Sequence, residues 1–155
     1  MNINIIKFSE TFKNDTIFRL DPEHYQKHYI SNNNKIIKFG SKKLYDLVSE
    51  PVITGHTPSK KMDSFYNGDI SLIKTDNVRN KKITGDFTDY LTKKGNDKIK
   101  KSSLKDKDLV MTIIGAEKKI VGRSALINES NLPANINQNI ALIRLKKDYD
   151  PEIIS

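Results

Sequence analysis

The chain has 155 residues, 36% of them hydrophobic, which is enough for one domain with an apolar core. Its 27 lysines and arginines exceed its 19 aspartates and glutamates, and the net charge of +8 favours a polyanionic partner, although a lysine- and asparagine-rich coding bias would give the same excess. The lack of cysteine excludes disulfides and thiolate sites, and without a secretory signal or a membrane-spanning apolar run we expect a cytoplasmic protein.

Two short helices are predicted in the first third of the chain. Asp-Pro-Glu at residues 21–23 is typical of a helix start, because Asp caps free N–H groups and Pro suits the first helical position. Tyr25 and Tyr29 would share one face of this helix, which we expect to end at the asparagines 32–34. The spacing of apolar residues predicts a second helix over residues 41–49.

Beyond residue 55 the pattern changes to short strands. Strands are predicted over residues 70–75, 109–114, 120–127 and 140–146, and the second and third of these should form a hairpin. The last strand is apolar on both faces and should lie inside a sheet. Between the first two strands, Thr92 can cap a helix that extends to about Lys101. These elements predict an α+β fold with a mostly antiparallel, twisted sheet and few short helices.

The end of the sequence repeats the earlier helix start, as Asp150-Pro151-Glu152. We expect a helix that begins there and is cut short. The predicted organisation is therefore a lead-in with a short helix over residues 1–40, the main domain over 41–149, and the start of a truncated helix over 150–155.

Candidate catalytic groups are few. His24 and His28 are spaced to share one face of the first helix, but no third ligand accompanies them, so we expect an exposed pair and no metal site. Asp63, Asp69 and Asp76 could form a metal-dependent nuclease site, although their spacing matches no nuclease motif. We therefore expect a protein that is not an enzyme and that needs no cofactor, with a small nuclease as an alternative.

The polar residues between 60 and 138 suggest a surface that contacts double-stranded DNA. Lysine pairs in predicted loops could hold phosphates, and exposed Arg, Asn or Gln side chains could contact base edges. The candidates for DNA binding are Lys60, Lys61, Lys74, Asn77, Arg79, Asn80, Lys81, Lys118, Lys119, Asn135, Asn137 and Gln138. The competing interpretations are solvated lysines and asparagines that cap turns.

Short motifs follow one another in a fixed order along most of the chain. They are Gly-His-Thr-Pro-Ser (55–59), Phe-Tyr-Asn-Gly-Asp-Ile (65–70), Ile-Lys-Thr-Asp-Asn-Val (73–78), Tyr-Leu-Thr-Lys-Lys-Gly (90–95), Lys-Asp-Leu-Val-Met-Thr-Ile-Ile-Gly (107–115), Ile-Val-Gly (120–122) and Asn-Ile-Asn-Gln-Asn-Ile-Ala-Leu-Ile (135–143). In this order they resemble the target recognition domains of type I restriction-modification specificity subunits, over roughly residues 40–152. The sequence departs from the family at residues 66–67 and 71–72, where Trp and Pro-Trp are usual. Residues 18–25 are similar to lead-ins found in fused methyltransferase-specificity proteins.

This resemblance implies a DNA sequence reader that directs a separate adenine methyltransferase and restriction subunit. It also implies a fold like that of a DNA-methyltransferase target recognition domain, in which Gly55, Pro58, Gly68 and Gly115 shape turns. A methyltransferase subunit is an expected partner; in the family it docks on long helices, which are missing beyond Asp150 in this sequence. A protein-interaction module or anti-restriction decoy with the same fold is the remaining alternative.

Overall fold

The computed structural model describes residues 25–79, 81–116 and 119–154, and the chain divides into two units between Lys43 and Leu44. The first unit contains helix α1 (Lys27–Lys38), in which no residue is buried. Its predicted end at residues 32–34 is wrong, because the helix continues to Lys38, where Lys35 and Lys38 interact favourably with the negative end of the helix dipole. The predicted start at residues 21–23 lies outside the described residues.

The second unit combines short helices with mostly antiparallel strands, which confirms the predicted α+β class. Its helices are α2 (Leu44–Leu47), α3 (Lys93–Lys98) and α4 (Pro151–Ile154). Its strands are β1 (Ile53–Thr54), β2 (Tyr66–Ile73), β3 (Val78–Arg79), β4 (Lys82–Ile83), β5 (Tyr90–Leu91), β6 (Leu109–Thr112), β7 (Ser124–Leu126), β8 (Ala134–Ile136) and β9 (Ile140–Ile143). In the parts of the chain described here, no helix has the length and apolar character needed to cross a membrane.

The larger sheet has the strand order β1-β9-β6-β7, and all its neighbours are antiparallel. Strand β9 lies inside this sheet, as its apolar sequence predicts, and its four residues are buried. The predicted hairpin is also confirmed, since β6 pairs with β7 in the register Val110 to Ala125. Strand β7 forms one edge of this sheet.

A second sheet has the order β5-β2-β8, in which β2 runs antiparallel to β5 and parallel to β8. Side chains from both sheets enter one apolar cluster, which includes Ile73, Val110, Ile136 and Leu142. Helix α3 begins where the sequence predicts, because the Thr92 hydroxyl accepts a hydrogen bond from the Gly95 amide at 3.2 Å.

Two motif glycines are required by close backbone approach and not by a turn with positive φ. A side chain on Gly55 would overlap the carbonyl of Ile136, and one on Gly68 would overlap the carbonyl of Leu91. Neither Gly55 nor Gly68 has a positive φ. Beside Gly68, the residue with a positive φ is Asn67, at 62°. The expected turn-forming role of these two glycines is therefore corrected: they let one chain segment pass directly against another.

A buried ion pair stabilises the end of the larger sheet. The Arg144 guanidinium binds both carboxylate oxygens of Asp108, at 2.8 and 3.0 Å, and also donates to the Ser103 carbonyl at 2.7 Å and to Glu50 at 3.0 Å. The hydrogen bonds that Arg144 donates to Asp108 raise the pKa of Arg144 above its usual value, against the opposing effect of burial. Arg144, which directly follows β9, therefore belongs to the internal structure of the domain.

Candidate nucleic-acid interface

Several basic residues lie on chain segments along the β7 edge of the larger sheet. The β3–β4 hairpin pairs Arg79 with Lys82, and a bridge between Lys81 and Ala125 places this hairpin beside β7. Arg123 directly precedes β7, at the end of the loop that joins β6 to β7. We call the resulting set the basic edge surface; it consists of Arg79, Lys81, Lys82, Lys119 and Arg123.

The two arginines of the basic edge surface donate hydrogen bonds to backbone carbonyls. Arg79 Nε donates to the Asp76 carbonyl at 3.0 Å, and Arg123 Nε donates to the Lys119 carbonyl at 3.1 Å. These bonds orient the guanidinium groups but bring no negative charge. Among the residues that the structure describes, no carboxylate pairs with any member of this surface. The surface can therefore neutralise phosphates without first breaking an ion pair to any carboxylate that the structure describes.

Two of the predicted DNA-binding lysines converge instead on Asp89. Lys74 Nζ contacts the Asp89 carboxylate and donates to the Thr88 hydroxyl at 2.8 Å, while Lys60 Nζ donates to Asp89 at 3.2 Å. The Asp89 side chain is 13% exposed, against 29% for Lys74 and 66% for Lys60. Lys74 is therefore corrected to one half of an internal ion pair, whereas Lys60 and the neighbouring Lys61 remain exposed on their loop.

The Asp89 ion pair should make stability depend on pH in the acid range. Burial raises the pKa of Asp89, but hydrogen bonds from Lys74 and Lys60 outweigh it and bring the pKa below 3.8. Because the folded-state pKa is lowered, the stabilisation is complete well above the unfolded-state pKa and is lost as the pH falls through the folded-state pKa. We expect the free energy of unfolding to fall less between pH 5 and pH 2 in Asp89→Asn than in the unmodified protein, measured by urea denaturation. An equal fall in the free energy of unfolding in both proteins would contradict the lowered pKa of Asp89.

Two predicted base-contacting asparagines are buried and hold turns. Asn77 accepts a hydrogen bond from the Lys74 amide and donates to the Asp86 carbonyl, both at 2.9 Å. The side chain of Asn137 accepts from the Asn139 amide at 3.1 Å. Both side chains are therefore used within the fold, and the turn-forming interpretation applies to them in place of base contact.

Asn135 is also buried, at the centre of a polar network under α3. Its amide nitrogen donates to Asn96 at 2.7 Å and to the Ile99 carbonyl at 3.2 Å, and its amide oxygen accepts from the Ser102 hydroxyl at 2.7 Å. An extended backbone does not bring this side chain to the surface, because β8 is buried along its whole length. The prediction that Asn135 contacts DNA is wrong for this physical reason.

Gln138 is the exposed member of the same segment. It lies in the turn between β8 and β9, and its amide oxygen accepts a hydrogen bond from the Thr57 hydroxyl at 2.6 Å. This turn adjoins the β6–β7 loop, since the Ile113 amide donates to the Asn139 carbonyl at 2.9 Å. Of the predicted base-contacting residues that the structure describes, Arg79 and Gln138 are those with exposed side chains.

The other predicted site residues either lie outside the described residues or do not form the predicted site. Asn80 and Lys118 lie outside the described residues, as does His24. Within the described ranges, no three acidic or histidine side chains are close enough to hold a metal ion, so the carboxylates of the alternative nuclease site do not form a metal site. Arg123 was missed as a candidate, although it lies within the strand predicted over residues 120–127.

No protein-family model matches the chain, and no curated protein matches it either.

Proposed function

We propose that this chain is a DNA target recognition domain that binds double-stranded DNA through the basic edge surface. The proposal is supported by five basic residues on two neighbouring hairpins at one sheet edge, none of which pairs with a described carboxylate. Cations spread over a few neighbouring loops can contact successive phosphates of a duplex, which gives affinity and fixes orientation.

Sequence preference would come from exposed side chains next to this surface. Arg79 belongs to the surface itself, and its planar guanidinium suits the two acceptors of a guanine edge. Gln138 stands on a turn that hydrogen bonds to the loop carrying Lys119 and Arg123. Proteins that bind specific duplex sequences combine phosphate contacts, which position the protein, with a small number of base contacts, which give specificity.

The motif order supports a role as the specificity module of a type I restriction-modification system. In that role the domain would be a cytoplasmic, non-catalytic component, and it would direct a methyltransferase subunit that flips and modifies adenine. The parent would be either a separate specificity subunit or a fused restriction-methylation enzyme.

Titration of the chain with a fluorescent duplex, and with one of its strands alone, tests the proposal. We expect tighter binding to the duplex, with an affinity that falls linearly on a logarithmic plot as the salt concentration rises from 50 to 200 mM. Equal affinity for both forms, or an affinity independent of salt, would contradict duplex binding through phosphates. Absence of DNA binding together with tight binding to a methyltransferase subunit would favour the interaction module instead.

A further inference from the structure

The turn that carries Gln138 is held from several sides. The Asn137 amide donates to the Ile73 carbonyl at 3.1 Å, and the Asn137 side chain accepts from the Asn139 amide at the same distance. The Asn139 carbonyl in turn accepts from Ile113 at 2.9 Å. Since backbone bonds fix the residues on both sides of Gln138, its Cα position is set by the fold and not by a loose loop.

The loop opposite this turn is fixed as well. Gly55 lies so close to the backbone of Ile136 that no side chain fits there, and its amide donates to the Ile140 carbonyl at 3.2 Å. Two residues further on, Thr57 faces Gln138, and the Pro58 carbonyl accepts a hydrogen bond from the Tyr66 hydroxyl at 2.5 Å. The Thr57 hydroxyl is thus presented to Gln138 from a loop that is anchored on both sides.

The Thr57 bond leaves Gln138 with a defined set of unused hydrogen-bonding groups. An amide oxygen accepts two hydrogen bonds, and Thr57 supplies one of them at 2.6 Å. One acceptor position and both N–H groups of the exposed amide are not used by described residues. An acceptor beside a donor is complementary to the N6 amino group and N7 of adenine in the major groove, which glutamine can contact with two hydrogen bonds.

We infer that Gln138 recognises an adenine in the major groove and that Thr57 is its positioning residue. This inference rests on the proposed DNA-binding function and specifies one base contact of that site. Holding a glutamine side chain in place before binding removes an ordering cost equivalent to about two- to twelvefold in affinity. Thr57 should therefore sharpen the preference without itself touching the base.

The test compares variants of the whole chain by binding each to a pool of randomised duplexes and sequencing the bound fraction. We expect Gln138→Ala to lose preference at one A·T pair by about 5- to 150-fold, corresponding to the usual discrimination of a two-bond contact. Thr57→Val, which keeps the shape and removes the hydroxyl, should weaken the preference at the same pair by about two- to twelvefold, and Thr57→Ser should restore it. In the Gln138→Ala background, Thr57→Val should have no further effect on that pair.

Ser130→Ala is the matched control, because the exposed Ser130 hydroxyl also donates to an amide oxygen at 2.6 Å, that of Asn128. It should leave the preference unchanged, and the salt dependence of binding should be the same in every variant, because no phosphate contact is removed. Melting temperatures within a few degrees of one another would establish that all variants fold.

Two results would overturn the inference while leaving the proposed function intact: an unchanged motif in Gln138→Ala, or a change at a G·C pair. An unaltered preference in Thr57→Val would remove the positioning role. If the unmodified chain enriched no motif, the proposed sequence recognition would fail together with this inference. That outcome can be distinguished from failure of the Gln138 inference alone, because it would be seen with the unmodified chain before any variant is compared.

Discussion

Replacing Asp108 with alanine is expected to lower the free energy of unfolding by about 3–5 kcal/mol, because it leaves a mostly buried guanidinium without its main partner. The side chains of Asp108 and Arg144 are only 4% and 15% exposed, and two hydrogen bonds join them. In a domain of this size the loss corresponds to a fall in Tm of about 6–20 °C, at about 2–4 °C per kcal/mol. Urea denaturation with linear extrapolation measures it.

Asp148→Ala is the control for this experiment, since it removes the same charge from an exposed aspartate in the turn after β9. Its effect should stay within about 0.5 kcal/mol. The double variant Asp108→Ala/Arg144→Ala should lose less than the sum of the two single variants, because the second substitution removes the unpaired charge that the first one leaves. Additive losses would mean that the two side chains do not stabilise the fold as a pair.

Removing four cations of the basic edge surface, by alanine at Arg79, Lys81, Lys82 and Arg123, is expected to abolish most of the salt dependence of DNA binding. If each of the five cations contacts one phosphate, a rise from 50 to 200 mM salt weakens binding of the unmodified chain by about 500-fold. The variant retains Lys119, and its affinity for DNA should fall only about threefold over the same range of salt concentration. Fluorescence anisotropy with one duplex measures both slopes.

A matched variant removes the same charge from another part of the molecule. Lys93, Lys98, Lys100 and Lys101 are exposed on α3 and the turn that follows it. Alanine at these four positions lowers the net charge equally, and we expect it to leave the salt slope nearly unchanged. Similar slopes in the two variants would mean that binding depends on total charge and not on the basic edge surface.

The sequence predicts the fold well where the pattern depends on local burial or capping. The apolar run that forms β9 specifies an interior strand, and Thr92 specifies a helix start, because both follow from a residue's immediate neighbours. The end of α1 is not predicted, since the low helix propensity of three consecutive asparagines does not stop a helix that continues into Lys35-Ile36-Ile37-Lys38.

The candidate site is predicted less completely, because exposure depends on contacts between distant segments. Asn135 and Gln138 are three residues apart and equally polar, yet one lies under α3 and the other reaches solvent. Nothing near Lys74 in the sequence indicates that Asp89 neutralises it, since the two meet only when the strands pair. Conversely, Arg123 joins Arg79 because the β3–β4 hairpin packs beside β7, a contact between segments more than forty residues apart.

Selection from a pool of random duplexes tests the central claim most directly. The chain would be incubated with the pool at about 0.1 M salt, where weak electrostatic binding is partly screened, and the retained DNA would be sequenced. We expect enrichment of a short motif that is lost in the variant lacking the four cations and kept in the α3 control variant. Retention of DNA with no enriched motif would contradict sequence recognition by this chain.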